Sequence, residues 1–120
     1  MQPSVKLINL ADEFYIDEGC YVIELSTVDD DPSLSIARCR VTPGKTTCWH
    51  SLDATVERYI IQSGTGLVEI DDIQQLVKPG DLVLIPADCR QRIHNSGDDD
   101  LIFLAICTPR FQPDCYRVHE

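Results

Sequence analysis

From residue 20 onward, apolar positions come in short runs, many of them alternating with polar ones, and each run stops at a cluster of Gly, Pro, Asp or Asn. The runs read "CYVIELSTV", "LSIARCRV", "TCWHSL", "VERYIIQS", "LVEI", "IQQLV", "LVLIPA", "CRQRIH" and "LIFLAIC", separated by "DDDPS", "TPGKT", "GTG", "DD", "KPGD" and "NSGDDD". Val, Ile and Tyr fill them, and this alternation between regularly spaced turn signals predicts β-strands. No segment sustains a helical period, apart from a short helical turn near "LADEF". An all-β sandwich or barrel is the expected architecture. "GTG" at 64–66 is expected to close a hairpin. The N-terminal "PSVKLINLADEFYI" reads as an added edge strand within residues 1–19, with barrel strands over 20–109 and an extension crossing the barrel over 110–120. Edges of this kind are often covered by a second copy, so a homodimer is expected.

Composition narrows the function classes. A chain of 120 residues with 43% hydrophobic content suits one domain with a core of its own. Ten basic residues against twenty acidic ones give a net charge of −10, and no stretch gathers Lys and Arg, so neither nucleic acid nor an anionic membrane surface is an expected partner. The first residues lack a basic segment followed by an apolar one, and the run "LIFLAIC" is far short of the roughly 20 residues needed to span a bilayer. A cytoplasmic protein is expected. The six cysteines form no CxxC pair and lie mostly inside apolar or alternating segments, which predicts reduced core thiols rather than disulfides or a zinc knuckle. The acidic runs at 29–31, 71–72 and 98–100 fall at turns and lack the spacing of a calcium loop. No nucleophile elbow or phosphate-binding loop occurs.

Strand parity sorts the chemistry-bearing side chains. Residues two apart share a face, so Cys48, His50 and Leu52 belong together, as do Glu57, Tyr59 and Ile61, and Cys89, Gln91, Ile93 and Asn95. Arg90, Arg92 and His94 fall on the opposite face from Gln91, and only a bulge would turn His94 inward. His119 reads as a solvated end residue. Arg38 and Arg40 share a face with Leu34 and Ile36. Pointing inward they would clamp a carboxylate or phosphate; pointing outward they would pair with surface carboxylates.

Two blocks carry a more specific signal. Gly44 is followed after five residues by His50, and Glu57 after six by Gly64; Gly80, Pro86 and Asn95 stand at matching intervals in a second block. The pattern resembles the two motifs of the cupin superfamily, with three departures: Leu52 where that family has a second His, Asp88 where it has Gly, and Gln91 where it has a third His. The resemblance implies a small jelly-roll barrel acting on or binding a small molecule, and a divalent transition metal (Fe, Mn, Ni or Zn) held by three His and one Glu. Of those ligands His50 and Glu57 remain; Gln91 and Cys48 are the replacement candidates, with Cys48 equally readable as a small buried hydrophobe. No organic cofactor is implied. Gln91, Tyr59, Arg38 and Arg40 are the candidate ligand-binding residues. Three functions stay open: a metal-assisted enzyme, a metal-free ligand-binding module, and a metal-free isomerase or epimerase using His50 with Tyr59 or Glu57 as acid and base.

Overall fold

The computed structural model describes all 120 residues and contains two antiparallel sheets packed face to face. In chain order the strands are β1 (Phe14–Ile16), β2 (Cys20–Glu24), β3 (Ser35–Val41), β4 (His50–Leu52), β5 (Val56–Ser63), β6 (Gly66–Ile70), β7 (Ile73–Val77), β8 (Leu82–Ile85), β9 (Gln91–Asn95), β10 (Leu101–Thr108) and β11 (Tyr116–Val118). One sheet runs β1-β2-β3-β10-β5-β8 and the other β11-β4-β9-β6-β7. The two share no ladder, so the jelly roll is an open sandwich rather than a closed barrel. A 3-10 turn at Leu10–Asp12 stands where "LADEF" suggested one. No helix is long and apolar enough to cross a membrane.

Period-two alternation is what builds the core. On β10 the positions Leu101, Phe103, Ala105 and Cys107 are buried and the residues between them only partly so. β3 and β5 flank β10, placing Val41 beside Leu101 and Glu57 beside Cys107. Phe103, Ile61, Ile85, Ile93, Leu101 and Val41 fill the space between the sheets, each large apolar side chain contributing about 1.5–3 kcal/mol. "GTG" does not close a hairpin: β5 and β6 belong to different sheets, and the turn carries the chain across the sandwich. Gly64 sits there at φ +80, where an added Cβ would lie 2.5 Å from the carbonyl oxygen of Asp100. At Asp88 (φ 70) the chain also turns left-handed. Asp tolerates that region better than most residues, and its Oδ1 accepts a hydrogen bond from Ala54 N at 3.0 Å, so Asp stands in for a glycine there.

Gly64→Ala is expected to lower stability in urea denaturation by more than about 2 kcal/mol, combining left-handed strain with a backbone clash. At Gly44 (φ +78) a Cβ would meet nothing within 4 Å, so Gly44→Ala should cost only about 1 kcal/mol of strain. Equal losses at the two positions would rule out close approach as the reason for Gly64.

Candidate functional site

At one end of the sandwich a cavity of about 250 Å³ opens between β1, β2, β3 and the end of β10. Its wall is mostly apolar, with Phe14, Ile16, Val22 and Ala37, but Glu18 and Glu57 also face it. Glu57 is an inward position near the start of β5. Its Oε2 accepts a long hydrogen bond from the Cys107 thiol at 3.5 Å, while its Oε1 is buried without any partner. Glu18 comes from the turn between β1 and β2, where Gly19 at φ +104 lets the chain reverse. The Glu18 carbonyl accepts from Cys48 N at 2.8 Å, which ties that turn to the segment before β4.

His50 stands behind Glu18. It is 2% exposed, and its Nε2 lies 3.4 Å from Glu18 Oε1. Its Nδ1 lies 2.7 Å from the Cys48 carbonyl. A carbonyl only accepts, so Nδ1 carries the proton and the Nε2 lone pair faces Glu18. The ring stacks on Tyr116 at 5.0 Å, 15° from parallel. Gln91, opposite His50 in the ladder, accepts from the Tyr59 hydroxyl at 2.6 Å through Oε1, and its Nε2 is buried without a partner. An orphaned donor and an orphaned acceptor thus stand in the same interior, an arrangement that costs free energy unless something binds there.

Neither carboxyl is paired with an arginine or a lysine. Burial, reinforced by the charge on Glu18, pushes Glu57 up to about 7, with His50, Gln91 and Cys107 opposing weakly. Burial likewise pushes Glu18 up to about 7 against the Cys20 thiol and Tyr116 hydroxyl. Burial lowers His50, against the pull of the Cys48 carbonyl and Glu57, which keeps the ring neutral at pH 7. The thiol of Cys107 and the phenols of Tyr59 and Tyr116 are raised, chiefly by burial, and stay protonated. Two carboxyls that each titrate near neutrality hold roughly one proton between them at pH 7.

Four of the residues marked in the sequence therefore meet: His50, Glu57, Gln91 and Tyr59. Three do not. Cys48 precedes β4, where the chain is not extended strand, so parity fails and Thr47 is the buried residue; the Cys48 thiol lies 3.6 Å from the Asp17 carbonyl. Arg38 and Arg40 lie on the opposite face of β3 from Cys39 and Val41. Glu13 pairs with both, Arg40 also reaches Asp100, and its guanidinium covers the Tyr21 ring. They form no clamp in the cavity. His94 keeps its outward parity and bonds Thr46, whereas His119 is more than a solvated end, with Nε2 2.7 Å from Ser51 Oγ. Sequence reasoning missed Glu18 and Tyr116. The only signal for Glu18 was an acidic residue in a Gly turn, a common surface feature; Tyr116 is placed by β11, which pairs with β4 and sets Tyr116 opposite Leu52.

These residues do not fit the metal that the two motifs imply. Leu52 offers no donor and packs with Cys107 and Cys115. Gln91 Oε1 is committed to Tyr59, and no three side chains among His, Cys, Asp and Glu converge as a metal-holding group.

A family model described as "Cupin domain" matches residues 37–107. An uncharacterized protein of Methanocaldococcus jannaschii, MJ1618, is 32% identical over 86 residues, spanning 72% of this chain and 69% of the relative. Among solved structures, a Streptomyces PAC13 variant with uridine superimposes with a TM-score of 0.81 at 17% identity, covering 100% of this chain and 93% of that one; PAC13 is described as a nucleoside dehydratase. KdgF from Halomonas sp. superimposes with a TM-score of 0.82 at 15% identity over 94% of this chain and 98% of that one. At these identities the structural likenesses establish the fold.

The raised Glu57 has a consequence for stability. Its carboxyl moves from 4.5 to about 7 on folding, so between those values the folded state holds a proton that the unfolded chain has released. Its contribution is full below pH 4.5 and is lost as pH rises through about 7, a drop on the order of 3 kcal/mol from this group. Urea unfolding at pH 5 and pH 8 should show that drop in the wild type and a clearly smaller one in Glu57→Gln, with Glu18 supplying the remainder. The same drop in both proteins would clear Glu57 of the effect.

Proposed function

The chain belongs to the cupin family, and we propose that it acts there as a metal-independent acid–base catalyst that removes water from a small hydroxylated molecule, with Glu18 and Glu57 as the working pair. One observation carries this reading: two carboxyls face one cavity, both raised to about 7, and neither is paired with an arginine or a lysine. Near neutrality such a pair supplies a base and an acid at once. Glu57 is the acid, since it is more deeply buried and the charge on Glu18 raises it further. Glu18 is the base, because the Cys20 thiol and Tyr116 hydroxyl favour its ionised form.

In the forward step Glu18 takes a proton from the carbon beside an activating carbonyl, and the C–H electron pair forms the new C=C bond. The C–O bond at the next carbon breaks, and Glu57 gives its proton to the departing hydroxyl, which leaves as water. The cycle closes when the proton on Glu18 returns to Glu57. His50 is a positioning residue: its lone pair accepts from Glu18 once that carboxyl has taken up the substrate proton, and its ring is clamped between the Cys48 carbonyl and Tyr116. Tyr59 holds the Gln91 amide by its oxygen in the interior behind the pair. The likeness in fold to a nucleoside dehydratase supports the reaction class.

A panel of β-hydroxy carbonyl compounds, including sugar and nucleoside aldehydes, can be followed by the ultraviolet absorbance of the unsaturated product. Turnover should follow a bell-shaped pH profile centred near 7, and Glu18→Gln and Glu57→Gln should each lower kcat by about 10²-fold or more. Dialysis against EDTA should leave the rate unchanged. Turnover lost on chelation and restored by a metal, or surviving both substitutions, would defeat the proposal. Tight binding with no turnover across the panel would instead identify a ligand-binding module.

A further inference from the structure

Arg110, just past the end of β10, also lines the cavity, and neither cupin motif includes it. Both terminal nitrogens donate to the protein: Nη1 to the carbonyls of Leu34 at 2.8 Å and Asp31 at 3.1 Å and to Ser26 Oγ at 3.4 Å, and Nη2, through one N–H, to the Ser26 carbonyl. The next residue is pinned as well, Phe111 N donating to Ser35 Oγ at 3.0 Å. These acceptors are neutral. Arg38 and Arg40 are paired with carboxylates, whereas no carboxylate reaches Arg110, and its Nε–H has no partner in the protein. A guanidinium stays charged at any physiological pH, so the cavity wall carries a fixed, oriented positive charge that no carboxylate pairs. Glu24 borders the same cavity without pairing with it.

We propose that Arg110 is the anchor for a carboxylate on the substrate, so that the molecule processed here is a small hydroxy acid held by its acid group at the cavity wall while its hydroxyl-bearing carbons reach the Glu18–Glu57 pair. The substrate class rests on the acid–base reading; the anion site rests on Arg110 alone. The unused Nε–H and the second N–H of Nη2 form the edge of the fork that receives a carboxylate in two parallel hydrogen bonds. The rigid hold on the other donors means little freedom is lost on binding. A cavity of about 250 Å³ lies below the roughly 300–1,000 Å³ of drug-sized sites, which suits a sugar acid and leaves little room for a larger anion. Below pH 7 the two glutamic acids are largely protonated and add little repulsion.

Gluconate and sorbitol share a carbon skeleton and differ only in carboxylate against hydroxymethyl. Isothermal titration of the full chain at pH 6 should show gluconate binding about tenfold or more tighter than sorbitol, the scale expected of charged hydrogen bonds. Arg110→Gln should abolish that preference and Arg110→Lys should keep part of it. Equal affinity for the two polyols, binding of neither, or binding of glycerol 3-phosphate in place of gluconate would overturn the proposal, and all three are read on the wild-type protein whether or not Arg110→Gln folds. Turnover that survives Glu18→Gln and Glu57→Gln would sink the acid–base reading and leave a demonstrated carboxylate site standing.

Discussion

Glu57 is removed from water with no ion-pair partner of its own, and most of what is unusual about this protein follows from that desolvation. Bringing a carboxylate into a low-dielectric interior costs several kcal/mol unless it is paired or protonated. Here the arginines of β3 are turned to the outer face and tied to Glu13. Both carboxyls of the cavity must therefore retain protons at pH values where free glutamates have lost theirs. Coupling between the two does the rest, since ionising one makes ionising the other harder.

The three departures from the family motifs are connected through packing. Leu52 is buried against Cys107 and Cys115, so an imidazole there would have to displace the C-terminal segment that brings Tyr116 onto His50. Gln91 answers to Tyr59 across the interior. Asp88 keeps the left-handed turn of the glycine it replaces, and its side chain holds the Ala54 amide just beyond β4. A site suited to holding a cation has become one suited to holding a proton.

Much of this was legible in the sequence. Strands such as "VERYIIQS" and "IQQLV" coincide with β5 and β7 because their boundaries are local, set by Gly, Pro and Asp next in sequence. The inward positions of Glu57, Tyr59 and Gln91 followed from parity, which holds wherever a strand is regular. Parity failed at Cys48 because a chain that is not pleated carries no period of two. Pairing between sheets was also beyond reach: "GTG" has the chemistry of a hairpin, but which strands neighbour one another depends on the whole core. Glu18 and Tyr116 were hidden for the same reason, their roles being created by contacts with residues 32 and 66 positions away, respectively, as the positions of His50 and Tyr116 show.

β11 divides the labour within the chain. It pairs with β4, whereas Glu57 and the strand that follows Glu18 belong to the other sheet. Residues 115–118 take no part in that second sheet, yet Cys115 covers Leu52 and Tyr116 supplies the ring that steadies His50. Scaffold and chemistry are therefore held by different parts of the chain.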